Sequence, residues 1–174
     1  MDYLHAKQRM LFHAGFSPDF THDGSFLGRL RPFQGLSETT FADICESMIV
    51  WYPLFKETDS VDKDVLKSIW WICDRTRMLV LRPDSSVRKN ELISIVDLRK
   101  LTAWIDVIES GALGMLQGLD LPMCTFRLME YLTQFPIEQP RLYAFLKPYL
   151  EMSLCYDDDD VRSTAEQVAG ILAT

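Results

Sequence analysis

The three histidines of this chain are the side chains that could act as general bases or bind a metal ion. His5 and His13 are eight positions apart, so they share one side of a helix without being adjacent. His22 is followed by Asp23, a carboxylate that could orient a base in a catalytic or ligand-binding pocket. No identifiable nucleophile stands beside this pair, and no metal-ligand spacing such as H-E-x-x-H accompanies any histidine. The pattern therefore favours a protein that is not an enzyme and that binds no metal and no cofactor.

Four consecutive carboxylates form the densest charge cluster of the sequence: Asp157, Asp158, Asp159 and Asp160. They lack the alternating ligands, the central glycine and the later glutamate of an EF-hand calcium loop. A helical pattern begins directly after them, and carboxylates at the start of a helix cap free N–H groups and interact favourably with the helix dipole. We expect Asp160 to act as the cap. The run is also a candidate docking surface for lysine and arginine side chains.

Trp70 and Trp71 are a second candidate for binding. They are adjacent in a predicted helix and therefore point about 100° apart, so both cannot face the same core. One interpretation is that one indole is partly exposed, and an exposed tryptophan is a common anchor of protein interfaces. The alternative is that both indoles lie inside a helix that is flanked on two sides.

The net charge of −7 is concentrated in residues 120–174, which contain four Lys/Arg against nine Asp/Glu. Such a charge repels nucleic acid and anionic membranes and favours a partner with a basic surface. A basic cluster within residues 75–89 has few interleaved aromatic side chains, so we do not expect it to bind nucleic acid. The expected partner is another protein, and no membrane partner is expected. Simple solubility is the alternative explanation of the charge.

The cysteines favour a reducing compartment. Four of them lie far apart, among apolar residues of predicted helices and without a C-x-x-C pair: Cys45, Cys73, Cys124 and Cys155. This pattern predicts buried free thiols, and a disulfide pair is the alternative that spacing leaves open. The first residues lack a secretory signal, and no apolar run approaches the roughly 20 residues that span a bilayer. We therefore expect a soluble cytoplasmic protein.

Helical periodicity dominates the chain and predicts an all-α fold, either an irregular helical bundle or a short α-solenoid of six or seven helices. The length and composition are those of one domain spanning residues 1–174. The predicted helices lie at about 2–14, 37–55, 61–79 and 91–110, from Pro122 onward, and in a closing pair at about 141–173. Pro136 and Pro140 separate the closing pair from the helix before it.

Two segments interrupt this pattern. Residues 16–36 contain two prolines, three glycines and four phenylalanines, which predict an irregular loop with a small hairpin at about 25–33. A further short strand is compatible with residues 78–82. The longest predicted helix has a buried face that begins with Leu92, Ile95 and Val96, and three glycines are expected to loosen the chain after it: Gly111, Gly114 and Gly118.

The closing pair combines Pro148 inside its first helix, an acidic turn, and the pair Val161-Arg162 at the start of its second helix. Ala165 and Ala169 are four positions apart and permit a neighbouring helix to approach closely. In these features the pair resembles a HEAT-type helical repeat, which implies a scaffold that binds other proteins. It departs from the family at Tyr156, where the family most often has its hinge aspartate. Elsewhere only one segment echoes the unit, whereas repeat stacks need at least about three units.

These features predict a non-catalytic protein-binding module. Its most specific form is an acidic cytoplasmic inhibitor, similar in type to bacterial immunity proteins, that neutralises a basic toxin such as a nuclease. One alternative is a helical adaptor subunit of a larger assembly. Another is a helical enzyme or ligand-binding bundle that uses the loop around His22 and Asp23, and it predicts a deep cavity with converging polar groups.

Overall fold

The computed structural model describes residues 1–57, 61–135 and 140–173 of the chain. Across these residues the fold is all-α, as predicted, and they form no strand. The helices in chain order are α1 (Tyr3–His13), α2 (Phe26–Arg29), α3 (Glu38–Glu57), α4 (Lys63–Thr76), α5 (Ser86–Lys89), α6 (Ile95–Leu116), α7 (Leu121–Gln134), α8 (Pro140–Leu154) and α9 (Asp159–Leu172). A π-helical turn, Arg77–Leu81, continues α4. Seven of these helices have eleven or more residues, in line with the predicted number.

Side-chain caps explain where several helices begin. Asp2 before α1, Asp62 before α4 and Ser94 before α6 each accept a hydrogen bond from a backbone N–H of the first turn. Each such bond satisfies an N–H group that has no partner within the helix and contributes about 1 kcal/mol. Ser37 precedes α3 and Pro122 lies in the first turn of α7, as their positions in the sequence predict.

The segment between α1 and α3 contains the four-residue helix α2, so the predicted hairpin is wrong. Ser25 caps this helix by accepting a hydrogen bond from the Gly28 N–H at 3.1 Å, and both Phe26 and Leu27 are buried. The Ser25 hydroxyl satisfies an N–H group of the first turn, and this capping favours the start of a helix at this point. The strand allowed at residues 78–82 is also absent, since these residues belong to the π-helical turn and the bend after it.

Helix α6 differs from the predicted long helix at both ends. It begins at Ile95 because Ser94 caps it and Glu91 has a positive φ of 54°. Leu92 therefore precedes the helix, and Leu92, Ile95 and Val96 are each more than half exposed instead of buried. At its other end α6 continues to Leu116. It includes Gly111 and Gly114, which are buried and do not loosen the chain, whereas Gly118 ends it with φ at 69°.

Trp104 of α6 lies at the centre of the core. Its ring stacks on Phe41 of α3, with ring centroids 4.7 Å apart and planes inclined by 5°. Its indole N–H donates a hydrogen bond of 2.7 Å to the Tyr131 hydroxyl of α7. The contact joins α3, α6 and α7, and the surrounding cluster of buried apolar side chains includes members of every helix from α1 to α9.

The closing pair consists of α8 and α9, which pack against each other, and α9 also packs against α7. Pro148 lies inside α8. The cap of α9 is Asp158 and not Asp160, because the helix begins two residues earlier than the pattern indicated; Asp158 accepts from the Asp160 and Val161 N–H groups. Pro136 lies outside the described residues, and α8 begins at Pro140. No helix in the described ranges is long and apolar enough to cross a membrane.

Candidate functional site

His13 is a buried histidine at the end of α1. Its Nδ1 accepts a hydrogen bond of 3.2 Å from the Phe26 backbone N–H, so the neutral ring carries its proton on Nε2. The Nε2 atom lies 3.4 Å from a carboxylate oxygen of Asp43 on α3, without the angle of a hydrogen bond, so this contact is electrostatic. Neither nitrogen then has a free lone pair with which to act as a base. The imidazole instead ties α1, α2 and α3 together.

Arg9 extends this cluster to the surface of α1. Its guanidinium lies 3.2 Å from the Asp43 carboxylate and 3.0 Å from that of Glu46. Glu46 is buried, and pairing compensates part of the cost of removing its charge from water. Arg9, His13 and Asp43 border an open groove between α1 and the loop that follows it. These charged groups bind one another and so hold α1 against α3 at the edge of the groove.

His22 and Asp23 lie on the outer side of the loop. His22 is exposed, and its ring contacts the edge of Phe20 at a centroid distance of 5.2 Å. The Asp23 carboxylate accepts a hydrogen bond of 2.8 Å from the Gln34 side-chain amide. Neither residue lines the groove between α1 and the following loop, nor the grooves between α4 and α6 and between α8 and α9.

The acidic run lies in the turn between α8 and α9, and its four carboxylates differ in the groups that they bind. Asp158 is the cap of α9, and Asp159 is ion-paired with Arg162. Asp157 and Asp160 are exposed and form no ion pair with any residue that the structure describes. In the described parts of the chain, no three His, Cys, Asp or Glu side chains are grouped so as to hold a metal ion.

All four cysteines are free thiols, so no disulfide joins them. Cys45, Cys73 and Cys124 are buried as predicted, and burial raises the pKa of Cys73 to about 12 and that of Cys124 to about 11. Cys155 departs from the prediction because it follows the end of α8 and is exposed in the turn. The three buried thiols are protonated at neutral pH and are therefore poor nucleophiles.

The adjacent tryptophans of α4 have different surroundings. Trp71 is half-buried, with its ring 5.8 Å from the Phe16 ring and the Arg75 guanidinium 3.9 Å above it. Trp70 is 71% exposed, the largest exposed fraction of any large apolar side chain among the described residues. The alternative that both indoles lie inside a flanked helix is therefore wrong.

Trp70 borders an open apolar groove between α4 and α6, which we call the α4–α6 groove. Its volume is about 320 Å³. Two further leucines on its α6 side are also exposed, Leu113 by 55% and Leu116 by 48%. The full lining is Leu66, Ile69, Trp70, Cys73, Glu109, Ala112, Leu113 and Leu116. Glu109 is the one ionisable carboxylate of this lining, and it is ion-paired with Arg77.

The sequence pattern indicated Trp70 as a candidate surface residue, but it did not indicate Leu113 and Leu116. The long helix was predicted to end near Ser110, because the glycines that follow are poor helix formers. The spacing could have found them, since Leu113 and Leu116 are three residues apart and continue the apolar pattern of the helix. A second apolar groove lies between α8 and α9, and its lining includes Leu150, Leu154 and Leu172 but no tryptophan.

No family model matches the chain, and neither a curated protein nor a solved structure matches it. The functional interpretation therefore depends on the chain's own residues. Among them, the α4–α6 groove combines the most exposed indole with two exposed leucines. It is the strongest candidate site in the described residues.

Proposed function

We propose that this chain is a non-catalytic protein-binding module that docks a partner in the α4–α6 groove. The exposure of Trp70 beside Leu113 and Leu116 carries this proposal. Burying apolar surface contributes about 25 cal/mol per Å². These side chains stay exposed in the folded chain, so a partner that covers them stabilises the complex by this amount for each Å² buried. Tryptophan is also enriched among the side chains that dominate interface energies.

The state of the titratable side chains supports a role without catalysis. His13 has no free lone pair, Arg9 is bound to two carboxylates, and the buried thiols hold their protons. Catalysis by acid, base or nucleophile needs such groups to be accessible to a substrate. His22 is accessible, but no cavity described here adjoins it.

The test compares three forms of the protein as baits for a partner from the source cells. The recovered protein is then purified and titrated by calorimetry against wild type, Trp70→Ala and the control Ile95→Ser. Ile95 is an exposed apolar residue of α6 outside the groove. We expect Trp70→Ala to weaken binding about 30-fold, which corresponds to about 2 kcal/mol, and Ile95→Ser to leave it unchanged. Equal affinity of all three forms for the partner would contradict the proposal.

A more specific form is an acidic inhibitor that neutralises a basic toxin such as a nuclease. It is favoured by Asp157 and Asp160, whose exposed carboxylates form no ion pair with a described residue. Binding to a basic partner should weaken steeply with salt and with Asp157→Asn plus Asp160→Asn. The control pair Asp19→Asn plus Asp84→Asn makes the same charge change at exposed sites elsewhere. Inhibition that is insensitive to salt, or equally sensitive to both pairs, would reject this form.

The proposal also covers the type of the closing helix pair and the location of the protein. The closing pair is a HEAT-like unit, supported by Pro148 inside α8 and by Ala165, which is buried. A cytoplasmic location is supported by the three buried free thiols, which suit a reducing compartment. A helical adaptor subunit of a larger assembly would use the same groove and would differ in the identity of its partner.

A further inference from the structure

The lining of the α4–α6 groove has almost no free hydrogen-bonding capacity. Both walls are α-helices, so the backbone groups along the groove are paired within α4 and α6. Its lining side chains offer two strongly polar groups, the Glu109 carboxylate, which is already bound by Arg77, and the single indole N–H donor of Trp70. Whatever occupies the groove therefore receives apolar contact from it but few hydrogen bonds.

This property decides between possible backbone conformations of an occupant. An extended segment laid in the groove would bury N–H and C=O groups without partners, at about 1–3 kcal/mol for each group. A helix satisfies its own backbone groups and can place an apolar stripe against the groove. A small ligand at the bottom of the groove would leave the outer parts of Trp70 and Leu113 exposed, whereas a helix lying across both rims covers them.

The length of the groove fits two turns of helix. Its α4 side extends from Leu66 to Cys73, and seven residues of helix rise about 10.5 Å. Apolar side chains at positions i, i+4 and i+7 of a partner helix extend over the same length on one face. The occupant therefore needs three anchors, one of which packs against the indole of Trp70.

The rims add a charge pattern. Asp106 precedes Leu113 by seven residues and so lies on the same face of α6, at the end of the groove marked by Arg77 and Glu109. Its carboxylate is exposed. The hydrogen bond to Glu109 raises the pKa of Arg77, and the charge of Asp106 acts in the same direction. Two negative charges, on Glu109 and Asp106, therefore stand against the one positive charge of Arg77. This end is therefore acidic, and a basic residue beyond the last apolar anchor would complement it.

We infer that the α4–α6 groove receives an amphipathic helix of a partner protein, with apolar residues at i, i+4 and i+7 and a lysine or arginine over Asp106. The inference rests on the proposed protein-binding function and adds the conformation and charge of the bound segment. The alternatives are an extended or proline-rich segment and an anionic helix.

Random segments of about 16 residues, long enough for four turns, displayed on phage and selected on the intact chain provide the test. Clones are kept when they bind wild type and Ile95→Ser equally but lose binding to Trp70→Ala. We expect these clones to show apolar residues at helical spacing with a basic end. As synthetic peptides, they should bind Trp70→Ala about 30-fold and Asp106→Lys about 5-fold more weakly than wild type.

Each other outcome of the selection supports a different conclusion. Trp70-dependent clones that are proline-rich or alternate in polarity would overturn the helical occupant and leave the protein-binding function standing. Helical clones that bind Asp106→Lys as well as wild type would overturn the charge assignment. A selection that yields no Trp70-dependent clone would count against the groove as a protein-binding site, and with it against this inference.

Discussion

Gly114 of α6 should resist replacement by alanine, although alanine is the better helix former. A Cβ atom at this position would lie 2.9 Å from the Sγ atom of Cys124 on α7, closer than real side-chain contacts permit. Cys124 is buried, and its thiol donates a weak hydrogen bond of 3.6 Å to the Leu119 carbonyl, so the sulfur is held in place. Gly111, one turn earlier, provides the control, because a Cβ there would meet the flexible end of Met48 at 3.0 Å.

The expected sign follows from two opposing contributions. Glycine to alanine inside a helix stabilises by about 1 kcal/mol, whereas overpacking a core costs about 1–3 kcal/mol. We expect Gly114→Ala to lower the free energy of unfolding by about 1 kcal/mol and the melting temperature by about 2–4 °C. Gly111→Ala should be neutral or stabilising by up to about 1 kcal/mol, since the Met48 side chain can move aside.

A double-mutant cycle with Cys124→Ala identifies the cause. Removing the sulfur makes room for the new methyl group, so Gly114→Ala should stabilise in the Cys124→Ala background, with a coupling of about 1–2 kcal/mol. Urea denaturation followed by circular dichroism measures all four forms. Additive effects, or a stabilising Gly114→Ala in the wild-type background, would refute the close packing of α6 on α7 at this point.

Three further results are expected. Tyr131→Phe leaves the buried indole N–H of Trp104 without its acceptor and should cost about 1–3 kcal/mol in urea denaturation, and a cost below about 0.5 kcal/mol would mean the bond contributes little. Burial raises the pKa of Cys73 to about 12. An unfolded thiol loses its proton near pH 8.5, so the unfolded state binds fewer protons at higher pH and stability falls by about 1.4 kcal/mol per pH unit for this thiol. Cys73→Ala should therefore flatten the loss of stability between pH 9 and about 11, and an unchanged slope would show that Cys73 does not cause it. Under native conditions a thiol reagent at pH 8 should modify Cys155 rapidly and the three buried cysteines slowly, whereas four equally fast thiols would contradict their burial.

Local sequence rules predicted the elements whose causes are local. Asp2 and Ser37 mark helix starts because capping involves residues of the same turn, and the turn between α8 and α9 follows from the acidic run. The extent of α6 could not be predicted in this way. Gly111 and Gly114 lie inside the helix because α7 packs against it closely, and that contact joins residues distant in sequence.

The candidate site likewise combines features that local sequence predicts with features that depend on contacts between distant residues. Spacing required Trp70 and Trp71 to point in different directions, but it could not say which indole is exposed. That depends on Phe16, which lies more than fifty residues earlier in the chain and packs against Trp71. Likewise the sequence pattern indicated His22 as a candidate base, because a carboxylate follows it. His13 is the histidine with a structural role, and its position on one face with Ala6 and Met10 was the available indication that it is buried.

The uneven exposure of aromatic rings and thiols gives each candidate surface its own optical reporter. Trp51 and Trp104 are buried and Trp71 is half-buried, so a collisional quencher dissolved in water selects the fluorescence of Trp70. A dye on the exposed thiol of Cys155 stands two residues before Asp157. A partner in the groove shields the indole from the quencher, and one on the acidic turn alters the dye. One titration can thus identify the occupied face before the complex is crystallised.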